Sequence, residues 1–124
     1  MTREDFDKLV EEAVASIPAE FHEKMENVAI LVEDYPKGEI KKKYQKGLLL
    51  GIFIGVPLTR QNWEYAYPPH RVILYQNNIE SICHSDEEIK QEIRTTLIHE
   101  VGHYFGFDEK EIRRLQGLPP ESKR

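Results

Sequence analysis

The sequence predicts an α+β protein, because its helices and strands fall into separate blocks along the chain. The order of elements is a helical block, three strands and two final helices. With 124 residues, 40% of them apolar and 31% charged, the chain has the size and composition of an ordinary soluble globular domain. We therefore predict one domain over residues 1–124, without internal repeats, in which residues 118–124 form a flexible tail.

The N-terminal segment predicts two helices. Thr2 is suited to cap the first, and Pro18 ends it because proline cannot continue a helix. The apolar residues of this helix recur on one face: Phe6, Leu9, Val10, Ala13 and Ile17. Proline is also favoured at the first position of a helix, so a short second helix is expected through Met25.

Three apolar segments predict strands. Val28–Glu33 and Arg71–Gln76 are short runs rich in β-branched and apolar residues. Gly47–Val56 is a longer apolar run, which favours a buried strand. Its Gly51 and Gly55 indicate either a bulge or a close approach of the backbone to another element.

A long helix is predicted after Ser85, which forms a capping-box pair with Glu88 three residues later. Apolar residues then recur at helical spacing and form one face: Ile89, Ile93, Leu97, Val101 and Tyr104. His99 and His103 fall to one side of this stripe. The same helix can therefore be anchored in the core and present side chains to a cleft.

The run His99-Glu100-Val101-Gly102-His103 has the spacing of a metal site. Residues four apart in a helix share a face, so both imidazoles can bind one ion. Zinc suits this arrangement, because catalytic zinc sites use three protein ligands and leave a fourth position for water. Glu100 is then placed to act as the general base on that water.

The helix is predicted to end at Phe105-Gly106-Phe107, since glycine favours the left-handed conformation that closes a helix. A second helix, Glu109–Gln116, follows directly. Two carboxylates after the turn compete for the third ligand position. Asp108 is well placed to cap the second helix, whereas Glu109 has a longer and uncommitted side chain. Glu109 is therefore favoured, with Asp108 as the alternative.

The segment from His99 to Glu109 resembles the HExxHxxGxx(D/E) motif of the minimal zincins, small bacterial zincin-like metallopeptidases. In that family the acidic third ligand stands ten residues after the first histidine, usually as Asp. Glu109 occupies this position here, one residue after an aspartate. The resemblance extends to further segments: Ile17-Pro18, Phe21, Asn27–Asp34, Leu50–Leu58 and Arg71–Tyr75.

The resemblance implies both a fold and a reaction. The implied fold is a small, mostly antiparallel or mixed sheet of three or four strands, packed against the N-terminal helix and the HExxH helix. The implied reaction is zinc-dependent hydrolysis of a peptide or protein substrate, with His99, His103 and Glu109 holding Zn2+ and Glu100 as the catalytic residue. The alternative is a divalent-metal-binding module without peptidase turnover, acting in binding or regulation.

Charge and composition argue against several classes of partner. A net charge of −5 gives no electrostatic case for nucleic acid or an anionic membrane. The longest apolar run, Leu48–Leu58, is too short and too interrupted to span a bilayer. The single Cys83 and the polar N-terminus predict a cytoplasmic protein. The sequence does not specify the oligomeric state.

Two other clusters have two interpretations each. The lysines within residues 37–46 are predicted to form a solvent-exposed loop or to protect an edge strand from pairing with another chain. The alternative is that they attract acidic substrates. Trp63, Tyr65 and Tyr67 either cover the core or line the cleft.

Three histidines outside the motif are expected at the surface or in support of the site rather than on the metal: His22, His70 and His84. Cys83 lies next to His84, but neighbours in an extended segment point to different sides. A cysteine nucleophile is therefore not expected.

Overall fold

Six helices and three strands form within residues 1–55 and 70–118, the part of the chain that the computed structural model describes. The helices are α1 (Arg3–Ser16), α2 (Ala19–Met25), α3 (Gly38–Lys43), α4 (Gln76–Ser81), α5 (Asp86–Tyr104) and α6 (Glu109–Gln116). The strands are β1 (Val28–Glu33), β2 (Gly51–Ile54) and β3 (His70–Tyr75). The predicted α+β class is confirmed.

The three strands form one mixed sheet in the order β1-β3-β2. β1 pairs with β3 in parallel, with Val28 opposite His70. β2 pairs with β3 antiparallel, with Gly51 opposite Leu74. β3 is therefore the central strand, which explains why its last four residues are all buried. β2 is an edge strand among the described residues.

Helix α1 supplies an apolar face that packs against α5. The Thr2 hydroxyl caps the helix by accepting a hydrogen bond from the Asp5 N–H at 3.0 Å. The buried residues lie three or four positions apart, as one helical face requires: Phe6, Val10 and Ala13. The helix ends just before Pro18, as predicted, and Pro18 precedes α2.

Helix α5 is the element around which the others pack, since it contacts α1, α4, α6, β2 and β3. The Ser85 hydroxyl caps it by accepting from the Glu88 N–H at 3.1 Å, as the sequence predicts. The buried residues form one broad face: Ile89, Ile93, Thr96, Leu97, Ile98, Val101 and Gly102. The predicted apolar stripe is confirmed except at Tyr104, which is 42% exposed.

Helix α3 occupies residues for which the sequence predicts a solvated loop or strand guard. The helix is short and buries no residue, so no apolar periodicity marks it. Lysine is nevertheless a good helix former, and lysines in the last turn interact favourably with the helix dipole. The loop prediction is wrong because local propensity, rather than burial, determines the conformation here.

Strand β2 and helix α4 also differ from the prediction. β2 covers Gly51–Ile54 rather than residues 47–56, and only Gly51 within it is buried. An edge strand is exposed along one side, so an apolar sequence overstates its burial. Gln76 begins α4 instead of ending a strand. Its side chain accepts from Arg3 Nε at 2.7 Å and donates to the Met1 carbonyl oxygen at 3.0 Å.

Some predictions fall outside the described residues: those for Trp63, Tyr65 and Tyr67, for the end of the second predicted strand, and for residues 119–124 of the predicted tail. Leu118, the first residue of that tail, donates its N–H to the Arg113 carbonyl oxygen at 2.9 Å. Within residues 1–55 and 70–118, no helix combines the length and the apolar character that crossing a membrane requires.

The glycine at position 51 allows α5 to approach the sheet. A Cβ atom there would stand 2.8 Å from Thr96 Cγ2 and 3.1 Å from the Ile73 carbonyl oxygen. We predict that Gly51→Ala lowers the free energy of unfolding by about 1–3 kcal/mol through overpacking. Thr96→Ser removes the crowding methyl, so the double variant should lose less than the sum of the single losses in urea unfolding. Additive losses would show that this contact is not the cause.

Candidate metal centre

The last turns of α5 bring two histidines of the motif together. His99 and His103 lie one helical turn apart, with ring centroids 4.4 Å apart and ring planes at 81°. Their Nε2 atoms are separated by 3.1 Å. Both side chains are 46% exposed, so the two nitrogens meet at the surface of the protein rather than in its core.

The chain reverses immediately after these residues. Gly106 has a φ of +81°, in the left-handed region that favours glycine. Its N–H donates to the His103 carbonyl oxygen at 3.1 Å, and the N–H of Phe107 donates to the Gly102 carbonyl oxygen at 2.9 Å. These two bonds form a Schellman motif. The helix termination predicted from Phe105-Gly106-Phe107 is confirmed.

This reversal brings Glu109, the first residue of α6, close to the two histidines. Its Oε1 atom lies 2.8 Å from His103 Nε2 and 3.9 Å from His99 Nε2. Among the described residues, these three side chains form a group whose ligand atoms all lie within 4.8 Å of one another. Two imidazoles and one carboxylate from α5 and α6 therefore converge on one point.

This donor set fits a zinc ion. Catalytic zinc sites hold the metal with imidazole and carboxylate groups at about 2.0–2.2 Å, so ligand atoms in a tetrahedral site stand roughly 3.3–3.6 Å apart. The separations of 2.8, 3.1 and 3.9 Å bracket that range. Small side-chain rotations are enough to equalise them.

Asp108 and Glu111, the neighbouring acids, are occupied elsewhere. Asp108 caps α6 by accepting from the Glu111 N–H at 2.8 Å. The Arg114 guanidinium donates to the Glu111 carboxylate and thereby lowers the pKa of that carboxyl group. Arg114 also pairs with Glu20 of α2 at 3.0 Å. The structure therefore places Asp108 as a cap and leaves Glu109 facing the histidines.

Glu100 lies beside the histidine pair and against the edge strand. Its Oε1 atom accepts from the Phe53 N–H at 3.2 Å, and its Oε2 atom is 3.3 Å from His99 Nδ1. A cleft of about 490 Å³ opens at this point, lined by Phe53, Gly55, Glu100, His103 and Tyr104. Glu100 thus borders both the histidine pair and an open volume.

Aromatic rings form one wall of the cleft. Tyr104 stacks on Phe53 with ring centroids 4.2 Å apart, and His70 lies 5.0 Å from Tyr104. A Cβ atom at Gly55 would stand 2.8 Å from the Tyr104 ring. Any residue other than glycine would therefore displace this ring. The predicted close backbone approach at Gly51 and Gly55 is confirmed at both glycines. His70 contacts both rings of this wall and is not part of the ligand cluster.

Gly102 is a residue whose role the sequence analysis does not identify. It lies between the two motif residues His99 and His103 and faces α6. A Cβ atom at Gly102 would stand 3.0 Å from Ile112 Cγ1 and 3.3 Å from Ile112 Cδ1. The missing side chain therefore determines how closely α6, which carries Glu109, approaches α5. A glycine inside a helical pattern is the sequence signal for such a contact.

The remaining candidates stay outside the cluster. His22 lies on α2 and His84 in the segment between α4 and α5, and both are exposed. Burial raises the pKa of the Cys83 thiol, and the charges of Glu92 and Glu88 act in the same direction. A reactive cysteine requires a lowered pKa. The environment of Cys83 thus agrees with the expectation that it is not a nucleophile.

Comparison with known proteins identifies the family. The family model for zincin-like metallopeptidases matches residues 25–118, which include both histidines, Glu100 and Glu109. The chain belongs to the zincin-like metallopeptidases. This match confirms the resemblance to the minimal zincins that the motif indicates.

A solved structure shares the fold of this zincin. It is a conserved hypothetical protein from T. thermophilus, with 22% identity and a TM-score of 0.55. The alignment covers 84% of this chain and 94% of that protein. No protein with curated annotation matches the zincin significantly.

Two adjacent acids of the zincin allow a matched pair of variants. We predict that Glu109→Ala weakens zinc binding strongly with little change in the unfolding of the metal-free protein, since Glu109 faces His103 rather than the core. Asp108→Ala should retain zinc and lower the free energy of unfolding by about 0.5–2 kcal/mol, because a helix cap is lost. Zinc titration and thermal unfolding of both variants decide between these residues. The reverse pattern would identify Asp108 as the ligand.

A second prediction concerns Gly102. The new methyl of Gly102→Ala should push α6 outward and weaken zinc binding by about 10–100-fold, the effect seen when groups that orient ligands are altered. Alanine is a better helix former than glycine, so its helix propensity favours α5 and cannot be the cause of weaker zinc binding. Adding Ile112→Ala removes both crowding atoms and should restore much of the zinc affinity. Unchanged affinity in Gly102→Ala would show that α6 does not depend on this contact.

Proposed function

We propose that this protein is a zinc-dependent metallopeptidase that hydrolyses peptide bonds. His99, His103 and Glu109 are its proposed metal ligands, and Glu100 is its proposed general base. The observation that carries the proposal is the convergence of three ligand atoms within 4.8 Å, beside a carboxylate that borders a cleft. Membership of the zincin-like metallopeptidase family supports it.

The roles of the residues follow from their positions. A bound zinc ion supplies Lewis acidity, which polarises the substrate carbonyl group and acidifies water. Glu100 accepts one proton as water oxygen bonds to the carbonyl carbon of the substrate. Glu100 then passes that proton to the amide nitrogen as the carbon–nitrogen bond breaks. The Phe53 N–H holds the Glu100 carboxylate beside the cleft during both transfers.

The substrate is proposed to add to the edge of β2 that pairs with no described strand. The Leu50 carbonyl oxygen accepts from the Tyr75 N–H at 2.9 Å, so Leu50 directs its backbone groups to β3. In an antiparallel pair the backbone N–H and C=O groups of successive residues point alternately toward and away from the partner strand. Those of Gly51 and Phe53 therefore point to the edge of β2 that faces away from β3. An extended peptide paired there lies next to Glu100. Backbone pairing of this kind places few demands on the sequence of the substrate.

A second candidate function rests on the contacts of Glu100. Both of its oxygens already have partners, Phe53 N–H and His99 Nδ1. A carboxylate beside a ligating histidine often serves to orient the imidazole. In that case the protein is a divalent-metal-binding module without turnover, and Glu100 acts through His99.

One substitution separates the two functions. Glu100→Gln keeps the size of the side chain and removes its basicity. For the peptidase we predict retained zinc and fold, with peptide cleavage reduced by about 10²–10⁴-fold. The measurement is cleavage of a diverse peptide library by wild type and variant at equal zinc content.

Glu92→Gln is the matched control. Glu92 lies on α5 two turns before Glu100, and burial raises the pKa of its carboxyl group. It does not line the cleft, so cleavage by Glu92→Gln should match that of the wild type. Absence of cleavage by zinc-loaded wild type would favour the binding module. Equal cleavage by wild type and Glu100→Gln would remove Glu100 from the mechanism.

A further inference from the structure

A strongly basic segment lies at the opposite end of β2 from the cleft. Residues 35–48 contain five lysines and one glutamate, a net charge of +4 in a chain whose net charge is −5. The rest of the chain therefore carries −9. The five lysines are all exposed: Lys37, Lys41, Lys42, Lys43 and Lys46. We call this surface the lysine patch.

The charge of the lysine patch is not neutralised within the described residues. Lys42 lies 4.0 Å from Glu39, but both side chains are largely exposed, and such a pair contributes little. No ion pair with a described carboxylate forms at the other four lysines. The negative end of the α3 dipole stabilises only the positive charges of the lysines in its last turn. Lys37 and Lys46 lie outside that helix.

A concave volume of about 380 Å³ opens within the segment that carries the lysine patch, and Lys41 is the patch lysine that lines it. Lys41, Gln45 and two tyrosines line it, and Tyr35 and Tyr44 are 56% and 40% exposed. The wall is held in place by Asn78, which is 7% exposed and donates to the Leu49 carbonyl oxygen at 2.8 Å. Positive charge, amide groups and exposed aromatic rings thus meet in one pocket.

The pocket and the catalytic cleft lie along the same stretch of chain. Gly47 lines the pocket, and Phe53 lines the cleft. Gly47 and Phe53 are six positions apart, a separation that spans at most about 20 Å when the chain is extended. A peptide paired with the edge of β2 that faces away from β3 would thus need about six residues to reach from Glu100 toward the pocket.

We propose that the lysine patch is a docking site for an acidic segment of the protein substrate, about six residues from the bond that is cleaved. The proposal rests on the peptidase function proposed above. Charge complementarity selects an acidic partner, and the exposed rings of Tyr35 and Tyr44 accept apolar side chains within the acidic segment. A nucleic acid strand longer than the patch would meet the negative charge of the remaining surface.

A binding experiment that needs no turnover tests the site. The protein is the full chain with Glu100→Gln, loaded with zinc, and the probe is a fluorescent peptide of Glu, Asp and Phe. Lys41→Glu with Lys46→Glu should weaken binding by about tenfold at low salt. Lys8→Glu with Lys24→Glu changes the net charge equally at two exposed lysines that do not line the pocket, and should leave binding nearly unchanged.

The outcomes separate this proposal from the peptidase function. Equal binding by both double variants, or no binding of the acidic peptide, would overturn the docking site. Tighter binding of a single-stranded oligonucleotide of the same charge would also overturn it and indicate a nucleic-acid surface. In the active protein, an acidic stretch placed about six residues from the cleaved bond should lower KM without raising kcat. If the lysine variants weaken binding but the zinc-loaded wild type cleaves no peptide, the peptidase is refuted, and the lysine patch is left as a binding site for acidic segments that are not substrates.

Discussion

The reversal of the chain at Gly106 is the feature on which the candidate metal centre depends. At a φ of +81° the backbone satisfies the last carbonyl groups of α5 and turns α6 back toward them. A residue with a Cβ atom would adopt this conformation only with strain. Gly102 then lets α6 pack close to α5, against Ile112. Two glycines thus determine how near Glu109 comes to the histidines, although neither can bind a metal.

Helix α5 combines two requirements that usually conflict. Its apolar face must be buried for stability, whereas ligands must reach solvent and substrate. Packing against α1 and the sheet satisfies the first requirement, and the exposed side of the last turns, which carries His99 and His103, satisfies the second. The close approach to β2 is possible because Gly51 and Gly55 lack side chains where Thr96 and Tyr104 pass.

The sequence predicts those features that have local causes. The bounds of β1 and α6 agree with prediction, and so do the caps at Ser85 and Asp108, because capping and turn residues act within a few positions. Helix α3 is missed because it buries nothing and leaves no periodicity. The cleft wall formed by Phe53 and Tyr104 is also beyond prediction, since residues distant in sequence meet there only through the packing of α5 on an edge strand.

The position of Glu100 links catalysis to substrate binding under the proposed function. Its carboxylate is held by the Phe53 N–H, a group on the same edge to which an extended peptide would add. The peptide can pair with neighbouring backbone groups of β2 while Glu100 keeps this bond. The general base and the peptide bond are then located relative to one strand rather than to two separately moving elements. A small protein with few contacts to its substrate gains most from this arrangement, because accurate placement of the reacting groups replaces binding area.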